Sequence, residues 1–103
     1  CLEAATGKRV WEDRAIVTKG EELECANAFI VKNGDRFFLC AENGDLIIAT
    51  LGPTGPKEIS RTKLLAPTLS YQGRDVVWSH PAFANGHIFA RNDKELVCVD
   101  LRK

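Results

Sequence analysis

The stretch AFIVKNG at residues 28–34 begins a pattern that occurs twice in this chain. The second copy begins with PAFANG at residues 81–86. Each copy continues with an apolar pair and then an apolar run: FF at 37–38 and GDLIIA at 44–49 in the first, IF at 88–89 and KELVCV at 94–99 in the second. The Asn-Gly pairs at the two turns lie 52 residues apart, whereas Leu46 and Leu96 lie 50 apart. The chain therefore contains an internal repeat of about 50 residues.

The apolar runs inside the repeat have the length and composition of β-strands. Residues 28–31, 37–40 and 46–51 are rich in β-branched and aromatic side chains, and turn residues separate them. Asn33-Gly34, Asn43-Gly44-Asp45 and Asn85-Gly86 predict type I′ hairpin turns, because both central residues of that turn need positive φ. No helical period extends over ten residues, and residues 21–26 would form one helical turn at most. The sequence predicts an all-β fold.

One repeat unit can be written as four antiparallel strands, the fourth at residues 58–65 in the first full copy. The same frame places CVDL at 98–101 opposite CLEA at 1–4, so the chain opens on the third strand of an earlier copy. We expect residues 1–14 to be the end of one blade, 25–66 a complete blade, and 77–101 a last blade without its fourth strand. Residues 17–24 and 68–75 are interpreted as connections between blades.

Repeated four-stranded antiparallel units of about 40 to 50 residues are typical of the blades of a β-propeller. A single blade has two apolar faces and needs neighbouring blades to bury them. The chain should therefore be a partial ring of roughly two to two and a half blades. We expect it either to be part of a larger propeller or to associate with itself through its blade faces.

Composition excludes several classes of protein. The 103 residues carry 14 basic and 14 acidic side chains, so the formal net charge is zero and a nucleic-acid-binding surface is not expected. No apolar run approaches the roughly 20 residues of a membrane span. The four cysteines, at positions 1, 25, 40 and 98, form no C-x-x-C pair. They are interpreted as small buried hydrophobic residues rather than as metal or redox ligands.

Two segments resemble the repeats of the PQQ-like (quinoprotein-like) β-propeller family. AATGKRVW at residues 4–11 is similar to the family's Ala-x-Thr-Gly-Lys turn and the tryptophan that follows it, and residues 79–101 are similar to its inner, second and third strands. The resemblance covers nearly the whole chain and implies the C-terminal portion of such a propeller. It also implies a bacterial protein that is exported to the periplasm or secreted.

Members of this family include both scaffold proteins and enzymes. The resemblance favours a noncatalytic scaffold or a ligand- or protein-binding module, whose partners would be a protein or the remaining blades. The alternative is a fragment of a PQQ-dependent dehydrogenase whose catalytic residues lie in other blades, and only that alternative implies PQQ and calcium. The residues of this chain assign no catalytic, cofactor-binding or metal site. They favour a protein that is not an enzyme, although they leave the question open.

Seven groups of residues are candidates for a functional role. Trp11 should fill the gap between neighbouring sheets and find a partner for its indole N–H, whereas Trp78 could instead contact a channel or a partner. His80, at the head of an inner strand, could serve a ligand, and His87 should be solvated. Lys57, Arg61 and Lys63 are interpreted as a solvated stripe or a partner-binding surface. Asn43-Gly44-Asp45 and Asn92-Asp93 are assigned to turn chemistry rather than to calcium.

Overall fold

Three antiparallel sheets follow one another along the chain in the computed structural model, which describes residues 1–21, 23 and 26–102. One short helix, α1 (Ala15–Thr18), precedes them. Sheet I contains β1 (Ala28–Asn33), β2 (Arg36–Ala41), β3 (Asp45–Gly52) and β4 (Gly55–Lys63) in that order. Sheet II is the hairpin of β5 (Leu69–Tyr71) and β6 (Arg74–Val76), and sheet III contains β7 (Ala82–Ala84), β8 (His87–Arg91) and β9 (Leu96–Asp100). The prediction of an all-β fold is confirmed, and the sheets of four, two and three strands fit partial propeller blades.

Sheet I is the most regular part of the molecule. Its four strands occupy residues 28–63, within the range 25–66 expected for a complete blade. The β3–β4 pairing shifts between Ile48, which pairs with Ser60, and Ala49, which pairs with Glu58. Ile59 is therefore an unpaired residue in a β-bulge on the outermost strand, and its side chain is exposed.

Alternation along the strands gives sheet I two apolar faces. On one face Leu39, Ala41, Ile47 and Ala49 form a buried cluster against which Ile16 and Val17 of α1 pack. On the other face Phe38 stacks on Phe83 of sheet III with ring centroids 5.0 Å apart. Sheet I thus lies between the N-terminal segment and sheet III, as expected of a unit that needs a neighbour on each side.

The N-terminal segment departs from the expected blade end. Leu2 pairs with Arg9 in an isolated β-bridge, and no regular strand forms over residues 9–14 at the end of the expected blade 1–14. Instead, α1 begins within hydrogen-bond reach of Asp13, whose Oδ1 accepts the Ile16 N–H at 3.0 Å. The carboxylate of Asp13 therefore supports the first turn of a helix that directly follows the end of the expected blade.

Sheet II occupies residues 69–76, almost entirely within the segment 68–75 that the sequence predicts only as a connection. Its strands are closed by the pair Tyr71–Arg74. The central residues Gln72 and Gly73 have φ values of 48° and 78°, as a type I′ turn requires. The sequence does not predict this hairpin, because Gln-Gly is a much weaker signal for this turn than Asn-Gly.

The three predicted type I′ turns have different outcomes. Asn85 and Gly86 have φ values of 49° and 74°, so that prediction is confirmed. Asn33 pairs with Arg36, which makes Gly34 and Asp35 the central residues, and of these only Gly34 has a positive φ. The prediction for Asn33-Gly34 is therefore wrong, and the turn resembles type II′. It is also wrong for Asn43-Gly44, where only the glycine has a positive φ.

Within the part of the chain that the structure describes, no helix has the length and apolar character needed to cross a membrane.

We predict that Gly44→Ala destabilises the fold by more than about 2 kcal/mol in chemical denaturation. Gly44 has a φ of 88°, and a Cβ there would lie 2.0 Å from the Leu65 carbonyl oxygen. Gly34→Ala is the matched control, because Gly34 has a φ of 60° but no atom within 4 Å of the added Cβ. Its cost should stay near the roughly 1 to 2 kcal/mol of the left-handed backbone alone. Equal losses for the two variants would contradict the close contact at Gly44.

Candidate functional site

Two buried carboxylates lie in the loop between β2 and β3. Glu42 is 6% exposed and Asp45 3% exposed. A buried carboxylate is stable only when cations and hydrogen-bond donors compensate its lost hydration. The partners of each carboxylate therefore decide whether it holds the fold together or is available for chemistry.

Glu42 holds sheet II against sheet I. Its Oε1 accepts a hydrogen bond from Arg74 Nε at 3.1 Å, and its Oε2 accepts one from Trp78 Nε1 at 2.9 Å. The Glu42 carbonyl also accepts the Val77 N–H at 2.6 Å. Trp78 packs against Tyr71 with ring centroids 4.8 Å apart. The sequence allowed a channel or partner contact for Trp78. Its indole N–H instead donates a hydrogen bond within the chain, although 39% of the residue stays exposed.

Asp45 is the centre of a cluster of charges. Its Oδ2 lies 2.9 Å from Lys19 Nζ and 3.0 Å from Arg61 Nη1, and its Oδ1 lies 3.5 Å from Lys63 Nζ. Arg61 also donates from Nη2 to the Ile16 carbonyl at 2.6 Å and pairs with Glu58 at 2.7 Å. The cluster therefore joins the segment that contains α1 to strands β3 and β4.

The charges around Asp45 determine its protonation. Burial raises the pKa of the Asp45 carboxyl, but the hydrogen bonds from Lys19 and Arg61 and the charges of Lys63 and Lys19 outweigh burial, so the net pKa lies below its ordinary value. Asp45 is consequently ionised at neutral pH and acts as a counter-ion. A general acid would need the opposite shift.

The basic stripe on β4 is only partly as predicted. Lys57 is exposed, as a solvated lysine should be. Arg61 is half-buried in the Asp45 cluster, and Lys63 reaches the same carboxylate while staying largely exposed. The prediction of a solvated face is wrong for Arg61, because the sequence did not reveal the buried carboxylate that β3 places opposite it.

Trp11 behaves as its sequence context predicts. The indole is half-buried, and its Nε1 donates a hydrogen bond to the Gly52 carbonyl at the end of β3, at 2.8 Å. The N-terminal segment is thereby attached to sheet I. The prediction that the N–H finds a partner across the gap is confirmed.

Both histidines are engaged locally. His80 Nδ1 lies 2.8 Å from the Pro81 carbonyl oxygen, and its ring packs on Phe29 with centroids 4.6 Å apart. His87 Nδ1 lies 2.9 Å from the Asn85 carbonyl oxygen, and its Nε2 lies 3.8 Å from Asp100. His87 is half-buried rather than solvated, because the type I′ turn folds its ring back onto the turn backbone.

The asparagines at the hairpin loops perform turn chemistry. Asn43 Oδ1 accepts the Asp45 N–H at 3.0 Å. Asn92 Oδ1 accepts the N–H groups of Lys94 and Glu95, both at 2.8 Å, and its amide donates to the Ala66 carbonyl at 2.9 Å. The assignment to turns is confirmed for both asparagines. It is incomplete for Asp45, whose side chain is the ion-pair centre.

The cysteines do not share one environment. Cys40 is half-buried, and burial raises the pKa of its thiol to about 11, so it is an inert packing residue. Cys1 and Cys98 are exposed, so the prediction that they are buried is wrong. Both occupy the repeat position of Ile48, and the face of sheet III on which Cys98 lies is exposed in the part of the chain that the structure describes. Cys25 lies outside the described residues.

That face of sheet III is formed by Ala82, Phe89, Leu96 and Cys98, all of which are exposed. Leu96 is 70% exposed and Phe89 37%. We call it the uncovered face. Phe89 and Cys98 are Cα partners on neighbouring strands, so their side chains lie next to each other on this face. The sequence signal that could have found it is the repeat itself, because its residues match positions that sheet I covers.

No group of three or more histidine, cysteine, aspartate or glutamate side chains in the described ranges is arranged to hold a metal ion. Asp45, the most buried of the described carboxylates, is surrounded by Lys19, Arg61 and Lys63, which occupy the positions that a cation would need.

We predict that Asp45→Asn lowers the free energy of unfolding at pH 7 by about 2 to 3 kcal/mol, because charged hydrogen bonds are lost. Since the pKa of Asp45 is lowered in the folded state, its contribution is complete above the unfolded pKa of about 4 and is lost as the pH falls further. The difference in the free energy of unfolding between wild type and variant, measured by urea denaturation, should therefore become smaller below pH 4. Asp35→Asn, in an exposed turn, should change stability by less than about 0.5 kcal/mol. A gap that does not vary with pH would contradict the ionised cluster.

Neither a known protein family, nor a curated protein, nor a solved structure matches this chain.

Proposed function

We propose that this chain is a noncatalytic scaffold or binding module that belongs to a PQQ-like β-propeller and works by stacking its sheets on further β-structure. The uncovered face of sheet III is the observation that carries this proposal. The resemblance of residues 4–11 and 79–101 to that family supports it, and the same resemblance leads us to expect an exported protein.

Sheet I contains the covered counterpart of this face. Phe38 and Ile48 are Cα partners there, as Phe89 and Cys98 are in sheet III. Phe38 is half-buried because Phe83 stacks on it. Leu46 shares this face by alternation and is only 3% exposed, whereas its repeat equivalent Leu96 is 70% exposed.

Sheet III meets sheet I through its opposite face. Ile88 is completely buried and Ala90 is 7% exposed, and Phe83, the Cα partner of Ile88, stacks on Phe38. A sheet that presents such a face would cover Phe89, Leu96 and Cys98 in the same way. Exposed apolar patches of this kind mark sites of protein association.

The N-terminal end of the stack also has exposed apolar side chains. Leu2 is 63% exposed and Val10 49% exposed. Both ends of the stack therefore offer apolar surface, while the buried carboxylates Glu42 and Asp45 are used in contacts between segments. This distribution supports a structural role more than a catalytic one.

We predict that the isolated chain associates with itself and that Leu96→Glu weakens this association at least about tenfold, because a charge replaces an apolar contact in the interface. Sedimentation velocity over a concentration series measures the effect. Ile59→Glu is the matched control, since Ile59 is 47% exposed but lies on the bulged edge strand β4.

The control variant should associate as the wild type does. A wild-type chain that stays a monomer of 11.4 kDa up to millimolar concentration would overturn the proposal. So would an equal loss of association in both variants, because the contact would then not involve the uncovered face.

A further inference from the structure

A groove of about 430 Å³ lies between sheet I and sheet III, on the opposite side of sheet III from the uncovered face. Its walls are the end of β1, residues 31–33, and the β7–β8 hairpin, residues 83–87. Leu101 and Arg102 close one side of the groove. Its volume falls within the range of about 300 to 1,000 Å³ that ligand sites have.

The floor of the groove is apolar. Phe38 and Phe83 stack with their planes 17° apart, and both rings are half-buried. Val31 and Leu101 extend the same apolar surface. Stacked aromatic rings between two sheets form a preformed seat for one large apolar side chain.

The rim of the groove carries two cations, of which Lys32 alone has no ion pair among the described residues. Lys32 is exposed, and within the described structure it has neither an ion pair nor a side-chain hydrogen bond. Arg102 is already paired with Asp100, from Nε at 2.9 Å and from Nη2 at 2.8 Å, and this pairing lowers the pKa of Asp100 to about 2. None of the described lining residues is acidic. The uncompensated charge of Lys32 therefore favours an anionic group at the rim.

The shape of the groove favours an extended polypeptide over a small molecule. The groove is a broad depression rather than an enclosed cavity, whereas small-molecule sites enclose most of their ligand. Both β1 and β7 are edge strands of their sheets. An edge strand offers unpaired backbone groups with which an extended peptide can form hydrogen bonds.

We infer that this groove binds an extended peptide that carries one large apolar side chain next to an acidic residue. The apolar side chain lies on Phe38 and Phe83, and the carboxylate lies beside Lys32. This inference goes beyond the proposed scaffold, because it uses the opposite face of sheet III and does not depend on association through Leu96.

The test uses two sets of acetylated, amidated hexapeptides. Each peptide has a central Phe, Leu or Trp between two Asp residues or, in the matched set, between two Lys residues, with Gly elsewhere. Titration into the ¹⁵N-labelled chain is followed by two-dimensional NMR. We expect peptides of the acidic set to shift the amide signals of residues 31–33 and 83–87, with an affinity that falls as salt is added.

Substitutions at Lys32 then test whether its positive charge contributes to peptide binding. Lys32→Glu should weaken binding of the acidic peptides roughly tenfold, and Lys32→Gln should have a smaller effect in the same direction. Lys57→Glu makes the same change of charge on β4, away from the groove, and should leave the affinity unchanged. Because Lys32 is exposed, its variants should keep the wild-type spectrum elsewhere in the chain.

Three results would overturn the inference: equal binding of the acidic and basic sets, shifts centred on the uncovered face, or no binding of any peptide up to millimolar concentration. Self-association through the uncovered face and peptide binding in the groove can be tested independently. Lys32→Glu should leave self-association intact, and Leu96→Glu should leave peptide binding intact.

Discussion

The ion pair between Asp45 and Arg61 is the interaction on which the arrangement of the first half of the chain depends. It lies where β3 begins, and it connects β3 to β4 and, through the Ile16 carbonyl, to the segment that contains α1. A carboxylate this deeply buried would destabilise the fold without its cations. The loop that contains it also brings Gly44 against the backbone at Leu65 and presents Glu42 to Arg74 and Trp78. Four consecutive residues, 42–45, thus connect sheet I to the segments before and after it.

Periodicity predicted the strands of sheets I and III, because alternating apolar residues between Asn-Gly turns report directly on a pleated backbone. It did not predict Glu42 or Asp45 as buried groups. Both follow the apolar run of β2 and resemble polar loop residues, and their burial depends on cations that lie 16 to 32 residues away in the chain, before or after them. The hairpin of sheet II was missed for a local reason, since Gln72 adopts a positive φ that its residue type seldom signals.

The candidate functional surfaces were predictable to different degrees. The uncovered face follows from the repeat, because Phe89, Leu96 and Cys98 match residues that sheet I places against a neighbour. Even so, composition alone suggested burial for Cys98, since a cysteine in an apolar run is usually inside. The groove could not be predicted, because Lys32 and Phe83 lie 51 residues apart and meet only through the stacking of two sheets.

The bulge at Ile59 has a consequence for how this chain meets other β-structure. A flat outer strand invites a further strand to pair with its edge, and such pairing can continue without limit. On β4 the bulge twists the backbone, and Lys57 and Lys63 place charges along the same edge, so lateral addition of strands is disfavoured. Contact with a further sheet is then left to other surfaces, such as the uncovered face of sheet III. Stacking on that face adds no strand to the β4 edge of sheet I, so the molecule can contact another sheet without the open-ended strand addition that leads to fibrils.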